Sequence, residues 1–163
     1  MIRKLDQKDV ESIYQIVNQA AKVYQGRIPD DCYREPYMPK EEIFHEMNNM
    51  DFFGSQIKDK LLGVMGFQPV KDMTLIRHAY VLPEYQRMRI GKGLLEHLKH
   101  LTKTRYLLVG TWADATWAIY FYQKQGFKLF PNKDELLNAY WNISPRQVET
   151  SVVLGLEIKR FSK

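Results

Sequence analysis

The run Gln86-Arg87-Met88-Arg89-Ile90-Gly91-Lys92-Gly93-Leu94-Leu95 restricts the fold of this chain more than any other stretch. Residues 73–82 before it have strand character, and Pro83-Glu84 supplies a turn. After it, Leu94, Leu95, Leu98 and Leu101 recur at helical spacing over residues 91–102. A strand, a glycine-bearing basic loop and a helix start, in that order, form an anion cradle. The first-turn N–H groups have no intrahelical partner and the helix dipole favours negative charge there. Arg87, Arg89 and Lys92 add full positive charges beside those donors. The expected ligand of residues 86–93 is a phosphate or pyrophosphate, the bland alternative being a tight turn with solvated cations.

Two other phosphate loops do not fit. The Walker pattern of Gly, four residues and Gly-Lys-Ser/Thr is absent, and the dinucleotide fingerprint needs three spaced glycines where only Gly91 and Gly93 stand. A second block adds information. Residues 105–112 read as a buried strand through Tyr106, Leu107, Leu108 and Val109. Ala118-Ile119-Tyr120-Phe121-Tyr122-Gln123-Lys124-Gln125-Gly126-Phe127 then reads as a helix closed by a glycine, with a short strand over residues 127–130.

Together the two blocks resemble the GCN5-related N-acetyltransferase superfamily. In the first block Gln86 and Gly91 match the family's Gln/Arg, two residues, Gly, one residue, Gly/Ala, while Arg89 stands where the first glycine is usual. In the second, Ala118, Phe121, Tyr122, Gly126 and Phe127 match, and Ala115 replaces a frequent asparagine. The resemblance is strongest over residues 61–130. At Arg89 the expectation is that the loop uses ordinary dihedrals, with the guanidinium bonding a pyrophosphate.

The chain pattern suits that architecture. A short strand at residues 2–5 precedes a helix capped by Asp6 or Asp9 and running to about Val23, with Val10, Ile13, Ile16, Val17 and Ala20 inward. Residues 24–39 are turn-rich. A helix from Lys40 to about Asn49 follows, with Ile43, Phe44 and Met47 inward. Strands at 52–57, 61–69 and 73–82 form a meander, a short helix is expected over residues 133–140, and a last strand over residues 147–158. The expected fold is α/β (α+β): one domain over residues 1–163 with a mixed, mostly antiparallel sheet of six to seven strands and helices on both faces. The resemblance implies a splayed pair of central parallel strands that admits the pantetheine arm.

Composition narrows the classes. A chain of 163 residues with 45% hydrophobic content suits a folded globule. No apolar run approaches the ~20 residues that span a membrane. A single cysteine, Cys32, excludes an internal disulfide and points to a reducing cytoplasm. The net charge of +5 suits either nucleic acid or a polyanionic cofactor. The basic cluster lies in the loop and no zinc-ligand spacing or basic tail is present, so nucleic acid is the lesser reading.

The resemblance implies acetyl transfer from acetyl-CoA, as co-substrate, to the primary amine of a small molecule or peptide. Gln86, Arg87, Met88, Arg89, Ile90, Gly91, Lys92 and Gly93 are the expected pyrophosphate-binding residues, with the backbone of Tyr80 and Val81 taking the pantetheine amides and polarising the thioester. Tyr122 is the expected general acid to the departing thiolate, since a phenol's pKa near 10 is closer to a thiolate's than a carboxylic acid's. It also counts among the cofactor-binding residues. For the base, histidine is the side chain suited to proton transfer near neutral pH, which makes His78 a candidate, and strand alternation puts Ile76, His78 and Tyr80 on one face. Glu149 is a second candidate. The acceptor is expected against residues 24–37, where Tyr24, Asp30, Asp31, Tyr33, Glu35 and Tyr37 suit a cation. A non-catalytic acyl-CoA sensor is the alternative, and a homodimer through the terminal strand is consistent with the pattern.

Overall fold

A computed structural model describes residues 1–159. The chain forms two compact units, one of residues 1–68 and 77–101, the other of residues 69–76 and the described residues from 102. Seven strands hydrogen-bond in the order β1-β2-β3-β4-β5-β7-β6, where these are Ile2–Lys4, Asp51–Ile57, Lys60–Val70, Met73–Val81, Tyr106–Trp112, Lys128–Leu129 and Ser151–Glu157 in chain order. The pairings β1–β2, β2–β3, β5–β7 and β6–β7 are antiparallel, and β4–β5 is parallel. The mixed, mostly antiparallel sheet expected above is therefore present. The parallel register covers Met73↔Tyr106 to Ile76↔Val109 and stops where β4 passes from one unit into the other.

In the first unit, Asp6 caps a 3₁₀ turn and accepts the Lys8 N–H at 2.9 Å, and the chain then enters helix α1, Val10–Ala20. Val10, Ile13, Ile16, Val17 and Ala20 are buried, as their spacing requires. Helix α2, Lys40–Met47, closes the same core through Ile43, beside Met38, Met50, Phe52, Leu61, Val64 and Leu82. Phe44 corrects the expectation: it is 44% exposed. The helical stripe here is narrow, and Phe44 falls one residue outside it. The α3 helix, Ile90–Leu101, buries Ile90, Leu94, Leu95 and Leu98, while Leu101 in its last turn is 38% exposed.

In the second unit, β5 and β7 pair over seven registered positions, and Leu75, Leu108, Leu136, Leu137 and Val153 form the core. Helices here are α4, Thr116–Lys124; α5, Lys133–Tyr140; and α6, Pro145–Thr150. The last of these corrects the expected strand over 147–158, which begins only at Ser151. Ser144 accepts the Gln147 N–H at 3.2 Å and Pro145 occupies the first turn, so a capped helix takes residues that read as strand by composition. Glu149 therefore lies on α6, exposed and paired with Arg146 at 2.7 Å. Strand β7 is hydrogen-bonded to β5 on one side and to β6 at Lys128↔Gly155 and Leu129↔Leu154 on the other. Pairing between copies through this strand meets one already flanked within the chain.

Candidate active site

The basic loop is held by the end of β4 and the start of α3. The Leu82 N–H donates to Leu62 O at 2.9 Å, Pro83 opens a 3₁₀ turn, and the Met88 N–H donates to Tyr85 O at 3.2 Å. Gly63 on β3 lets the helix come close: a Cβ there would lie 2.8 Å from Ile90 Cγ2 and 3.2 Å from Val81 Cγ2. Ile90 thus seats on the strands, and the helix start is fixed relative to β4. The Gln86 side-chain amide donates to Val81 O at 3.3 Å, tying the loop to the strand whose backbone was expected to take the pantetheine.

The first helical bond runs from the Gly93 N–H to Arg89 O at 3.0 Å. By helix geometry the N–H groups of Ile90, Gly91 and Lys92 precede the ladder. Arg89 occupies the cap with φ of +62°, which corrects the expectation of ordinary dihedrals. The backbone is left-handed, a conformation glycine adopts without strain, and an arginine bears its cost of roughly 1 kcal/mol or more. Gln86, Arg87, Met88, Arg89 and Lys92 are exposed. No acidic residue stands in the first turn of α3. Cations at a helix N-terminus oppose the dipole by roughly 0.3–1 kcal/mol each, a cost that a bound anion offsets. Gly93 adds a second sign. A Cβ there would meet nothing nearer than Ile2 Cδ1 at 3.9 Å, so packing does not require this helix glycine. Glycine costs about 0.5–1 kcal/mol against alanine in a helix, and no packing contact offsets that cost here. The loop fits a pyrophosphate-bearing co-substrate.

On β4, His78 has φ of +50°. The positive φ breaks strand alternation, so that consecutive residues reach one carboxylate. His78 Nε2 lies 3.0 Å from Glu46 Oε1 and Arg77 Nη2 lies 3.6 Å from the same oxygen. The expectation that Arg77 and His78 serve opposite faces is corrected accordingly. The His78 ring stacks on Phe52 at 5.9 Å and 15°. Arg77 also donates to Gln68 Oε1 at 3.0 Å. Burial raises the Glu46 carboxyl, but the bond to His78 and the charges of His78, Arg77 and His45 outweigh it and hold it below its ordinary value. Burial lowers the Arg77 guanidinium, against the pull of Glu46 and Glu42.

The Tyr80 side chain enters a phenol cluster with Tyr24 and Tyr37, with ring centroids 5.3 Å apart for Tyr24–Tyr37 and 6.4 Å for each ring to Tyr80. Burial, then the two neighbouring phenols, push the Tyr80 hydroxyl well above the usual phenol range. The Tyr33 ring stacks on Tyr37 at 6.2 Å, and its hydroxyl donates to Glu35 Oε2 at 2.8 Å. Asp30, Asp31 and Glu35 are exposed beside this cluster in sequence. Residues 24–37 are thus joined to β4 through tyrosines.

Tyr122 is in the second unit, buried in α4. The Gly126 N–H donates to Gln123 O at 3.0 Å and the Phe127 N–H to Tyr122 O at 3.1 Å, with Gly126 at φ of +97°. This is a Schellman motif, and its usual apolar contact is the Tyr122–Phe127 ring pair at 5.3 Å. The spacing Tyr, three residues, Gly-Phe is what that motif demands. It fixes the ring of Tyr122 by local chain geometry.

Sequence reading missed Glu46 and Gly63. Glu46 follows Ile43 by three residues, so a charged group on the apolar face of α2 was the available signal. Among the described residues no group of three or more His, Cys, Asp and Glu is placed to hold a metal, and no helix is long and apolar enough to cross a membrane.

Residues 48–129 match the family model described as an acetyltransferase (GNAT) domain. The chain is similar to the spermidine N(1)-acetyltransferase of Thermoplasma acidophilum, at 26% identity over 141 residues, covering 78% of this chain and 88% of that protein. Among solved structures it is similar to the PaiA N-acetyltransferase of Thermoplasma acidophilum in complex with coenzyme A, with TM-score 0.75, 20% identity, and 96% and 98% of the two chains covered. It is also similar to a GNAT family acetyltransferase from Elizabethkingia anophelis with acetyl-CoA bound, with TM-score 0.66, 21% identity, and 96% and 97% covered. These structural likenesses establish a shared fold.

Proposed function

We infer that this chain, which belongs to the GNAT acetyltransferase family, transfers an acetyl group from acetyl-CoA to a primary amine by direct attack in a ternary complex. The observation that carries the reading is the start of α3. Exposed Arg87, Arg89 and Lys92 surround donors that precede the helical ladder, and Gly93, where a side chain would meet open space, follows them. A diphosphate supplies the missing negative charge. The family match crosses both compact units, which supports one acyltransferase domain over residues 1–163.

In this reading His78 takes the proton of the attacking ammonium. The amine nitrogen then bonds the acetyl carbon, with a main-chain N–H near Tyr80 and Val81 polarising the carbonyl. The carbon–sulfur bond breaks, Tyr122 gives its proton to the departing thiolate, and the second proton released by the nitrogen as it becomes an amide restores the Tyr122 phenol, so acid and base are different residues. We take the acceptor to be a small cationic amine of the polyamine kind. Support comes from the similar spermidine N(1)-acetyltransferase and from the exposed carboxylates Asp30, Asp31 and Glu35 among tyrosines.

The test is thiol release from acetyl-CoA with spermidine, other polyamines and neutral primary amines. Polyamines are expected to lead. Tyr122→Phe keeps the ring contacts and is expected to lower kcat by about 10²–10⁴-fold with acetyl-CoA affinity unchanged. Unchanged turnover in this variant would remove the assigned proton donor.

A further inference from the structure

We propose that Glu46 on α2 is a positioning residue that holds His78 in the Nε2-protonated tautomer, leaving Nδ1 as the proton acceptor. The proposal rests on the reading of His78 as base and deepens it. A neutral imidazole has one N–H donor and one acceptor nitrogen, and the bond made by one nitrogen decides which is which. Glu46, faced by the Arg77 guanidinium at 3.6 Å, is a carboxylate and can only accept. Nε2 at 3.0 Å from Oε1 must therefore carry the proton.

Four further features fix the pair. The ring is stacked on Phe52 with a 15° interplanar angle, which holds its plane. The left-handed backbone at His78 sends the side chain toward α2, to the carboxylate that Arg77 also faces. Arg77 is anchored elsewhere, to Gln68 at 3.0 Å, and at 3.6 Å it reinforces the charge of Glu46 without replacing the shorter His78 bond. Side-chain exposures of 17% for His78 and 16% for Glu46 leave little room for water to compete. The arrangement has a chemical consequence. When Nδ1 takes a proton the ring becomes a cation, and the carboxylate already bonded to it stabilises that state.

The tautomer is read directly from the ¹⁵N shifts of the His78 ring in the free protein, with His78→Asn identifying its signals among the four histidines. The Nε2–H pattern is expected, and an Nδ1–H pattern overturns the proposal. Glu46→Met removes the acceptor at similar volume. It is expected to populate the Nδ1–H form and to lower kcat about tenfold or more, part of the ~10²–10⁴-fold that a positioned base contributes, with KM for acetyl-CoA unchanged. Glu46→Gln keeps an acceptor oxygen and is expected to retain the tautomer and more of the rate than Glu46→Met. If both variants lose the same rate with the tautomer intact, Glu46 serves packing alone and the proposal fails. The underlying reading fails differently: wild-type turnover in His78→Asn would remove the base while the Nε2–H pattern in the native protein stood.

Discussion

Arg89 is where local conformation and ligand chemistry pull in opposite directions. At φ of +62° any side chain with a Cβ is strained, and glycine is not. The guanidinium nevertheless lies at a helix start that gains from an anion and from charge-assisted bonds to it. Substitution separates the two effects. Arg89→Ala keeps the strain and loses the charge. Arg89→Gly loses both, and is expected to be more stable than Arg89→Ala by about 1 kcal/mol in urea denaturation. Both variants are expected to bind coenzyme A several-fold more weakly by calorimetry, with a shallower dependence on salt than the native protein. Equal stability of the two variants would contradict the left-handed backbone. The positive φ at this residue was legible only as a conflict, because family spacing called for glycine and the chain supplied arginine. His78 carried no such mark. Nothing in His78-Ala79-Tyr80-Val81 signals a break in alternation, and the partner that explains it lies thirty-two residues earlier in the chain.

Elements were readable where their punctuation stood apart from a neighbouring apolar run. Helix α5 was legible to its ends, Lys133–Tyr140, and α1 through its apolar spacing and acidic cap. The Tyr122 helix ends where Gly126 permits the Schellman turn, and that glycine is visible in the sequence. Helix α6 was misread because Val148, Val152, Val153 and Leu154 merge into one apolar run, although Ser144-Pro145 already stated a helix start. For α3 the apolar spacing located the element, and its purpose is carried by the residue that packing ignores. Gly93→Ala fills open space in a helix, so it is expected to raise stability by about 0.5–1 kcal/mol. If the glycine is kept for a diphosphate passing close to the backbone, the same change weakens coenzyme A binding. The check is a pair of measurements on one protein, a denaturation midpoint and a coenzyme A titration. A variant that is more stable and binds as well as the native protein would leave the glycine without an explanation.

At the scale of the molecule, the meander of β2, β3 and β4 and the mixed sheet were expected from the short turns between those strands and were found, whereas the placement of β7 between β5 and β6 was not foreseen. The side-chain ties that join distant segments were not legible, since periodicity describes faces and not partners. The tie between β1 and the entry to α1 is one, and it makes stability depend on pH. Arg3 donates to both oxygens of Asp9, at 2.7 and 3.1 Å, and to Gln56 at 2.8 Å, while Asp9 also accepts the Asp6 N–H at 2.9 Å. The bond to Arg3 is the main cause holding the Asp9 carboxyl below its ordinary value, against the opposing effect of burial. A carboxyl depressed in the folded state contributes its stability in full above its unfolded pKa, and that contribution is lost as pH falls through the folded value. Glu46 is depressed as well and acts with the same sign. The native protein is therefore expected to lose urea resistance on acidification below about pH 4, where unfolded carboxylates begin to bind protons that the folded ones refuse. Arg3→Met removes the cause at Asp9. It is expected to be less stable than the native protein at pH 7, and the gap between them is expected to narrow by pH 3. The bond to Gln56 does not titrate, so a gap that stays constant across that range would assign the whole effect of Arg3 to Gln56 and remove Asp9 from the account of acid sensitivity.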